Sequence, residues 1–134
     1  MEITTHSETE TKEFAKKLAK DIKTGVIALF GDLGAGKTTF VQGFVEGKEI
    51  PDRVISPTFI LMRTYGNRIH HVDLYRLEGT QTEDLGLEEL WGGEDIVIIE
   101  WAEKIQNHLP QRRVDIHFTY VDEHTRRITV NNKD

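Results

Sequence analysis

The sequence predicts an α/β fold, a mostly parallel open sheet flanked by helices with an antiparallel edge, and three observations carry that prediction. The apolar run Val26-Ile27-Ala28-Leu29-Phe30 passes through a glycine-rich loop into a helix-compatible run over residues 38–45, the strand–loop–helix unit of such folds. Ile96-Val97-Ile98-Ile99 is apolar throughout, as strands buried on both faces of a parallel sheet are. Val114, Ile116, Phe118 and Tyr120 alternate with Asp115, His117 and Thr119, the pattern of a half-exposed strand.

The first predicted element opens at Ser7, where Ser7-x-x-Glu10 forms a capping box. Phe14, Leu18 and Ile22 recur every fourth residue beside Ala15 and Ala19, with lysines on the other face. That is a surface helix leaning on the sheet, which Gly25 is placed to end. After the 26–30 strand and the 38–45 helix, Gly47 and residues 48–52 mark a loop. Pro57 disfavours helix at Ser56. Residues 59–65 and 68–75 then read as a hairpin turned at Gly66-Asn67. Within it, Asp73 faces away from its apolar neighbours Val72 and Leu74. Thr82-Glu83-Asp84 can cap a short helix through Leu85, Leu87, Leu90 and Trp91, broken by Gly92-Gly93. The 96–99 strand ends in Glu100-Trp101, and a short helix over 102–109 stops at Pro110. The half-exposed strand turns at Asp122-Glu123-His124 into a last strand over 126–130.

The chain has 134 residues, enough for one domain, 1–134, with a real core. It is 37% hydrophobic and 30% charged, as in soluble globular proteins. No run is long enough to span a bilayer, and residues 1–10 lack a basic-then-apolar signal pattern. Without cysteine there is no disulfide framework and no thiolate metal site. A cytoplasmic protein is expected, with no membrane contact. Its net charge of −6 argues against independent binding to a nucleic-acid backbone, which rewards basic surfaces.

Gly31-Asp32-Leu33-Gly34-Ala35-Gly36-Lys37-Thr38 fits G-x-x-x-x-G-K-[ST] at every fixed position. Glycines let the backbone N–H groups curl around phosphate oxygens, and the following helix adds its unpaired first-turn donors. Lys37 is expected to reach the β- and γ-phosphates, and the Thr38 hydroxyl to bind Mg²⁺. Glu100, directly after a buried strand, fits the second acidic group that holds Mg²⁺; its alternative is an ordinary strand-end carboxylate. Asp73 either orients the attacking water or pairs structurally with Arg76 or a nearby His. Ser56 and Thr58 form either a γ-phosphate-sensing segment or a plain turn. Trp101 either covers the nucleotide or packs at the rim. His70 and His71 make a poor chelate, because neighbours on a strand point to opposite faces. Asn132-Lys133-Asp134 lacks the spacer of the guanine-reading N-K-x-D, so adenine is the expected base.

Together, residues 31–39, Ser56-Pro57-Thr58-Phe59, His71-Val72-Asp73-Leu74-Tyr75-Arg76, Leu85-Gly86-Leu87 and Ile99-Glu100-Trp101 resemble the TsaE (YjeE) ATPases of bacterial tRNA threonylcarbamoyladenosine biosynthesis. These motifs span residues 31–101, with Thr11 ahead and Arg126 behind. The resemblance implies a P-loop NTPase fold that binds ATP and Mg²⁺ and hydrolyses ATP slowly. It implies an accessory role to TsaB and TsaD, which carry threonylcarbamoyl transfer to adenosine 37 of tRNA, with tRNA met only through that complex. Lys37, Asp73 and Glu100 then match catalytic positions, and Thr38 and Glu100 the Mg²⁺ positions. Thr11, Gly34, Ala35, Gly36, Lys37, Thr38, Thr39, Trp101 and Arg126 match nucleotide positions. Ala15 stands where many members have Gly, and Ala102 where many have Pro. A small-molecule kinase using the same loop is the alternative, but it needs an acceptor pocket and an arginine-bearing lid for which the chain has little spare length.

Overall fold

The computed structural model describes residues 1–32, 34–57, 61–77 and 86–133. Among them, seven strands form one sheet: β1 (Glu2–Thr5), β2 (Gly25–Phe30), β3 (Met62–Tyr65), β4 (Ile69–Asp73), β5 (Ile96–Glu100), β6 (Arg113–Tyr120) and β7 (Arg126–Lys133), in the order β1-β7-β6-β2-β5-β4-β3. The pairs β2–β5, β2–β6 and β4–β5 are parallel, whereas β1–β7, β6–β7 and β3–β4 are antiparallel. The expected antiparallel edge is present, but on both sides of a parallel centre of β6, β2, β5 and β4, so parallel pairs equal antiparallel ones in number rather than dominating the sheet. Sequence reading placed no strand before Ser7, and β1 is the strand it missed. Four residues whose partner lies at the far end of the chain give no local signal.

The composition of the central strands explains their place. Every residue of β5 is buried, and only Gly25 of β2 is not, so both need cover on two faces. On one face Ile27, Leu29, Ile69, Ile98 and Ile116 pack with α1 (Glu8–Asp21) and α2 (Lys37–Gly47). On the other, Ala28, Val72, Val97 and Ile99 pack with Leu87, Ala102 and Ile105 from 3₁₀ segments Leu87–Leu90 and Ala102–His108. Each large side chain fully buried in this way contributes about 1.5–3 kcal/mol.

The Ser7 hydroxyl accepts the Glu10 N–H at 3.1 Å, while Glu10 Oε1 accepts the His6 N–H at 3.0 Å; the capping box is thus shifted by one residue on its return bond. α1 ends at Asp21, one turn before Gly25, and Gly25 opens β2 instead. The helix buries Thr11, Ala15 and Ala19, packs most extensively on α2 and shares the core on that sheet face. Small residues on both helices permit this: a Cβ on Gly43 would lie 2.5 Å from the Lys12 carbonyl oxygen, and one on Gly47 2.8 Å from Lys16.

The hairpin turns at Gly66 and Asn67, both at φ +57°, a left-handed conformation that glycine and asparagine adopt most readily, and residues 66–68 connect the paired Tyr65 and Ile69; residues 59 and 60 of the expected first strand lie outside the described residues. Residues 82–85 of the expected 82–91 helix also lie outside them, and the described remainder is one 3₁₀ turn. The expected 102–109 helix is likewise 3₁₀, kinked at Ile105. Asp115, expected on an exposed face, is buried because Arg113, two residues back on the same face, grips both its oxygens at 2.7 and 3.3 Å. Asn132 and Lys133 belong to β7, which is longer than expected. No described helix is long and apolar enough to cross a membrane.

Candidate functional site

The parallel centre puts the C-terminal ends of β2, β4, β5 and β6 along one edge, and ligands of open α/β sheets bind at that edge. β7 starts there because it runs antiparallel to β6. β1 ends there, and α1 starts there. Strand direction alone thus gathers the loop after β2, Asp73, Glu100, Arg126 and Thr11.

The loop leads directly into α2, whose N-cap Gly36 sits at φ +103°, a left-handed conformation that L side chains rarely adopt. The first turn of α2 is left with its N–H groups unpaired by the helix itself. Thr38, on that turn, directs its hydroxyl at both oxygens of Glu100, each 3.3 Å away. Asp73 lies beside Glu100 in register on the neighbouring strand, facing away from Val72 and Leu74 as expected. Its oxygens accept the Ser56 hydroxyl at 3.1 Å and the Tyr75 N–H at 2.9 Å. Thr58, the second hydroxyl of that segment, lies outside the described residues. Asp73 and Glu100 are 4% and 3% exposed. Buried carboxylates are costly without partners, so two of them side by side define the most polar point of the core.

Lys37 is 5% exposed. Its ammonium donates to the Gly31 carbonyl and lies 3.6 Å from the centre of the Trp101 ring. Burial pushes its pKa below the usual lysine range, against the opposing pull of Glu103, Glu100, Asp73 and Asp32. Trp101, at φ +61°, stacks obliquely on Tyr75 with centroids 5.1 Å apart. Of its two sequence readings, the structure therefore shows a cleft wall that also packs at the rim.

The cleft, of volume ≈ 220 Å³, is lined by Gly34, Gly36, Lys37, Thr38, Thr39, Asp73, Glu100 and Trp101 together with Ser56 and Tyr75. A second, larger hollow of ≈ 580 Å³ shares Gly34, Gly36 and Thr39 with it and adds Thr11, Arg126, His6, Glu123 and His124. Thr11 is fixed by a 2.7 Å hydrogen bond between its hydroxyl and that of Thr5 at the end of β1. Arg126 donates to the Gly34 carbonyl at 3.2 Å and lies over the Tyr120 ring at 4.4 Å. Among the predicted site residues, Ala35 is the exception. Its methyl is buried in the core and its N–H donates to the Asp32 carbonyl at 3.1 Å, so it turns away from both hollows.

Sequence reading missed a second set. His71 is 0% exposed, with Nε2 2.5 Å from Glu100 Oε2 and Nδ1 3.3 Å from the Tyr65 hydroxyl. His70 turns to the opposite face, to Thr64 and Asp95 at 3.0 and 2.9 Å. The strand period that argues against a His70–His71 chelate also sends His71 inward, and that was the available signal. His6 and His124 gave none, since each reaches the second hollow only through the fold.

Residues 5–128 match the family model described as threonylcarbamoyl adenosine biosynthesis protein TsaE. The tRNA threonylcarbamoyladenosine biosynthesis protein TsaE of Bacillus subtilis is 44% identical over 124 residues, covering 90% of this chain and 78% of that protein. Its namesake from Treponema pallidum is 34% identical over 134 residues, covering 97% and 99%. The crystal structure of Bacillus subtilis YdiB superposes with a TM-score of 0.86 at 36% identity, covering all of this chain (100%) and 86% of the other. With the match running from the end of β1 into β7, the chain belongs to the TsaE family.

Proposed function

We propose that the chain is an ATP-binding and ATP-hydrolysing accessory protein of tRNA threonylcarbamoyladenosine formation, dependent on Mg²⁺ and built on the P-loop NTPase fold. The observation that carries the reading is the meeting of Thr38 with Glu100. The two are far apart in sequence, yet a hydroxyl at a helix start faces a buried carboxylate beneath a glycine loop. Hard oxygen donors of this kind suit Mg²⁺, which takes one or two protein oxygens and fills the rest of its shell with phosphate and water. When bound, Mg²⁺ supplies charge neutralisation on the phosphates.

The chain's own residues account for the rest. Amides of the loop and of the first α2 turn hold phosphate oxygens. Lys37, buried with its ammonium on the Gly31 carbonyl and over the Trp101 ring, is a cation placed at the loop where phosphate would meet it. Asp73, fixed by Ser56 and the Tyr75 N–H, is placed to orient the attacking water. The larger hollow beside Thr11 and Arg126 suits the base and ribose, and the smaller cleft the phosphates. TsaB and TsaD are the proposed partners, and the acidic charge fits a protein that leaves tRNA to them.

Calorimetry with ADP and with ATP, with and without Mg²⁺, tests the reading. Binding of both nucleotides and release of free inorganic phosphate are expected. Lys37→Ala should cut turnover at least ~100-fold, as loss of a main electrostatic contact does. Absence of binding overturns the proposal, and phosphate appearing on an added metabolite replaces it with a kinase.

A further inference from the structure

We infer that His71 is a positioning residue for Glu100, and that Tyr65 and the Ile55 backbone hold it in place. The inference rests on the nucleotide reading above and names residues that reading does not use. His71 and Glu100 lie on adjacent parallel strands, with His71 opposite Ile98 in register. From there the imidazole reaches along β5 to Glu100 Oε2 at 2.5 Å. A carboxylate only accepts hydrogen bonds, so Nε2 donates. Oε2 is thereby engaged from inside the core as well as by the Thr38 hydroxyl, while Oε1 meets the Thr38 hydroxyl alone among the described residues. The contact fixes the carboxylate's orientation and leaves Oε1 the oxygen with fewer partners.

The other imidazole nitrogen is held too. The Tyr65 hydroxyl lies 3.3 Å from Nδ1, an acceptor when Nε2 donates, and 3.1 Å from the Ile55 carbonyl; its one proton is shared between these two acceptors, and its oxygen accepts the Ile55 N–H at 3.3 Å. Tyr65 is 3% exposed. A row of fixed groups thus runs from the backbone one residue before Ser56, through Tyr65 and His71, to Glu100. Ser56 itself bonds Asp73, so the segment at Ile55 and Ser56 reaches both site carboxylates. An apolar side chain would fill the His71 site without the cost of burying an imidazole. The polar residue is accounted for by what it does to Glu100, since outer-shell partners orient a metal-binding carboxylate.

The test compares His71→Met, His71→Gln and Tyr65→Phe with the unaltered protein, reading ADP affinity by calorimetry with and without Mg²⁺. In His71→Met the Mg²⁺-free affinity should stay within about twofold. The additional affinity conferred by Mg²⁺ should fall ~10–100-fold, the range for outer-shell substitutions. His71→Gln, which keeps an N–H donor at about the reach of Nε2, should restore most of the Mg²⁺ effect. Tyr65→Phe, which keeps the ring and removes the hydroxyl, should lose part of it. Unchanged Mg²⁺ dependence in His71→Met, or equal losses in His71→Gln and His71→Met, overturns the inference and leaves His71 a core residue. If His71→Met does not fold, Tyr65→Phe decides on the same readout. ADP binding that Mg²⁺ does not strengthen in the unaltered protein overturns the magnesium reading itself, a result separable from any difference among the variants.

Discussion

Lys37 carries a charge whose burial outweighs the pull of the carboxylates around it. Its lowered pKa means that the folded state holds that proton less tightly than the unfolded state does. Between the lowered value and the ordinary lysine value of 10.5, the unfolded chain binds more protons, so stability rises with pH across that window. Below the window the full cost of the buried charge is present. Lys37→Met should therefore remove this alkaline rise and leave the nucleotide-free protein no less stable at neutral pH. Urea unfolding between pH 7 and 10.5 measures both effects. Asp73 is the complementary case: Asp73→Asn keeps the side-chain shape and should leave ADP affinity within about threefold while cutting phosphate release ~10²–10⁴-fold, the range for a general base. Calorimetry set beside a phosphate-release assay reads the split. Equal loss of binding and hydrolysis would make Asp73 structural.

At the scale of elements, the α1–α2 contact holds the first turn of α2 in place. Gly43 lets the helices approach closely, since any Cβ there would collide with Lys12 backbone at 2.5–2.6 Å. Gly43→Val should cost at least about 1–3 kcal/mol by overpacking, lowering the melting temperature. Gly93→Ala, whose Cβ would meet nothing closer than 3.9 Å, should change it little. Thermal unfolding of the pair checks both. Most elements were legible in the residues: the β2 run, the α2 helix, the Gly66-Asn67 hairpin and β5 each have a local pattern. The 3₁₀ character of Ala102–His108 was not, because a short apolar spacing before proline fits either helix type. Asp115 was expected on an exposed face because the strand period sets it beside Arg113 on the polar face but does not show that this position is buried in the sheet.

For the molecule as a whole, a nucleotide that binds only the folded chain must stabilise it. At Mg·ADP about a hundred times its dissociation constant, the gain is ~2.7 kcal/mol, a rise on the order of 10 °C in melting temperature for a chain of this size. A melt with Mg·ADP against Mg²⁺ alone measures it, and no rise at saturating nucleotide contradicts the proposed function. Lys37 and Thr38 were identifiable without coordinates because one continuous loop-and-helix start supplies them, and their spacing is a matter of chain geometry. Asp73 and Glu100 were identifiable as acids at strand ends. That they stand side by side followed only when β4 and β5 were seen paired in register. The places of Thr11 and Arg126 next to Gly34, the β1–β7 pairing, and the His71–Glu100 contact all depend on strand order. Hydrophobic periodicity is a local property and reports which face of an element is buried. Which elements become neighbours is set by how all the buried faces are satisfied at once, and only the folded chain records that.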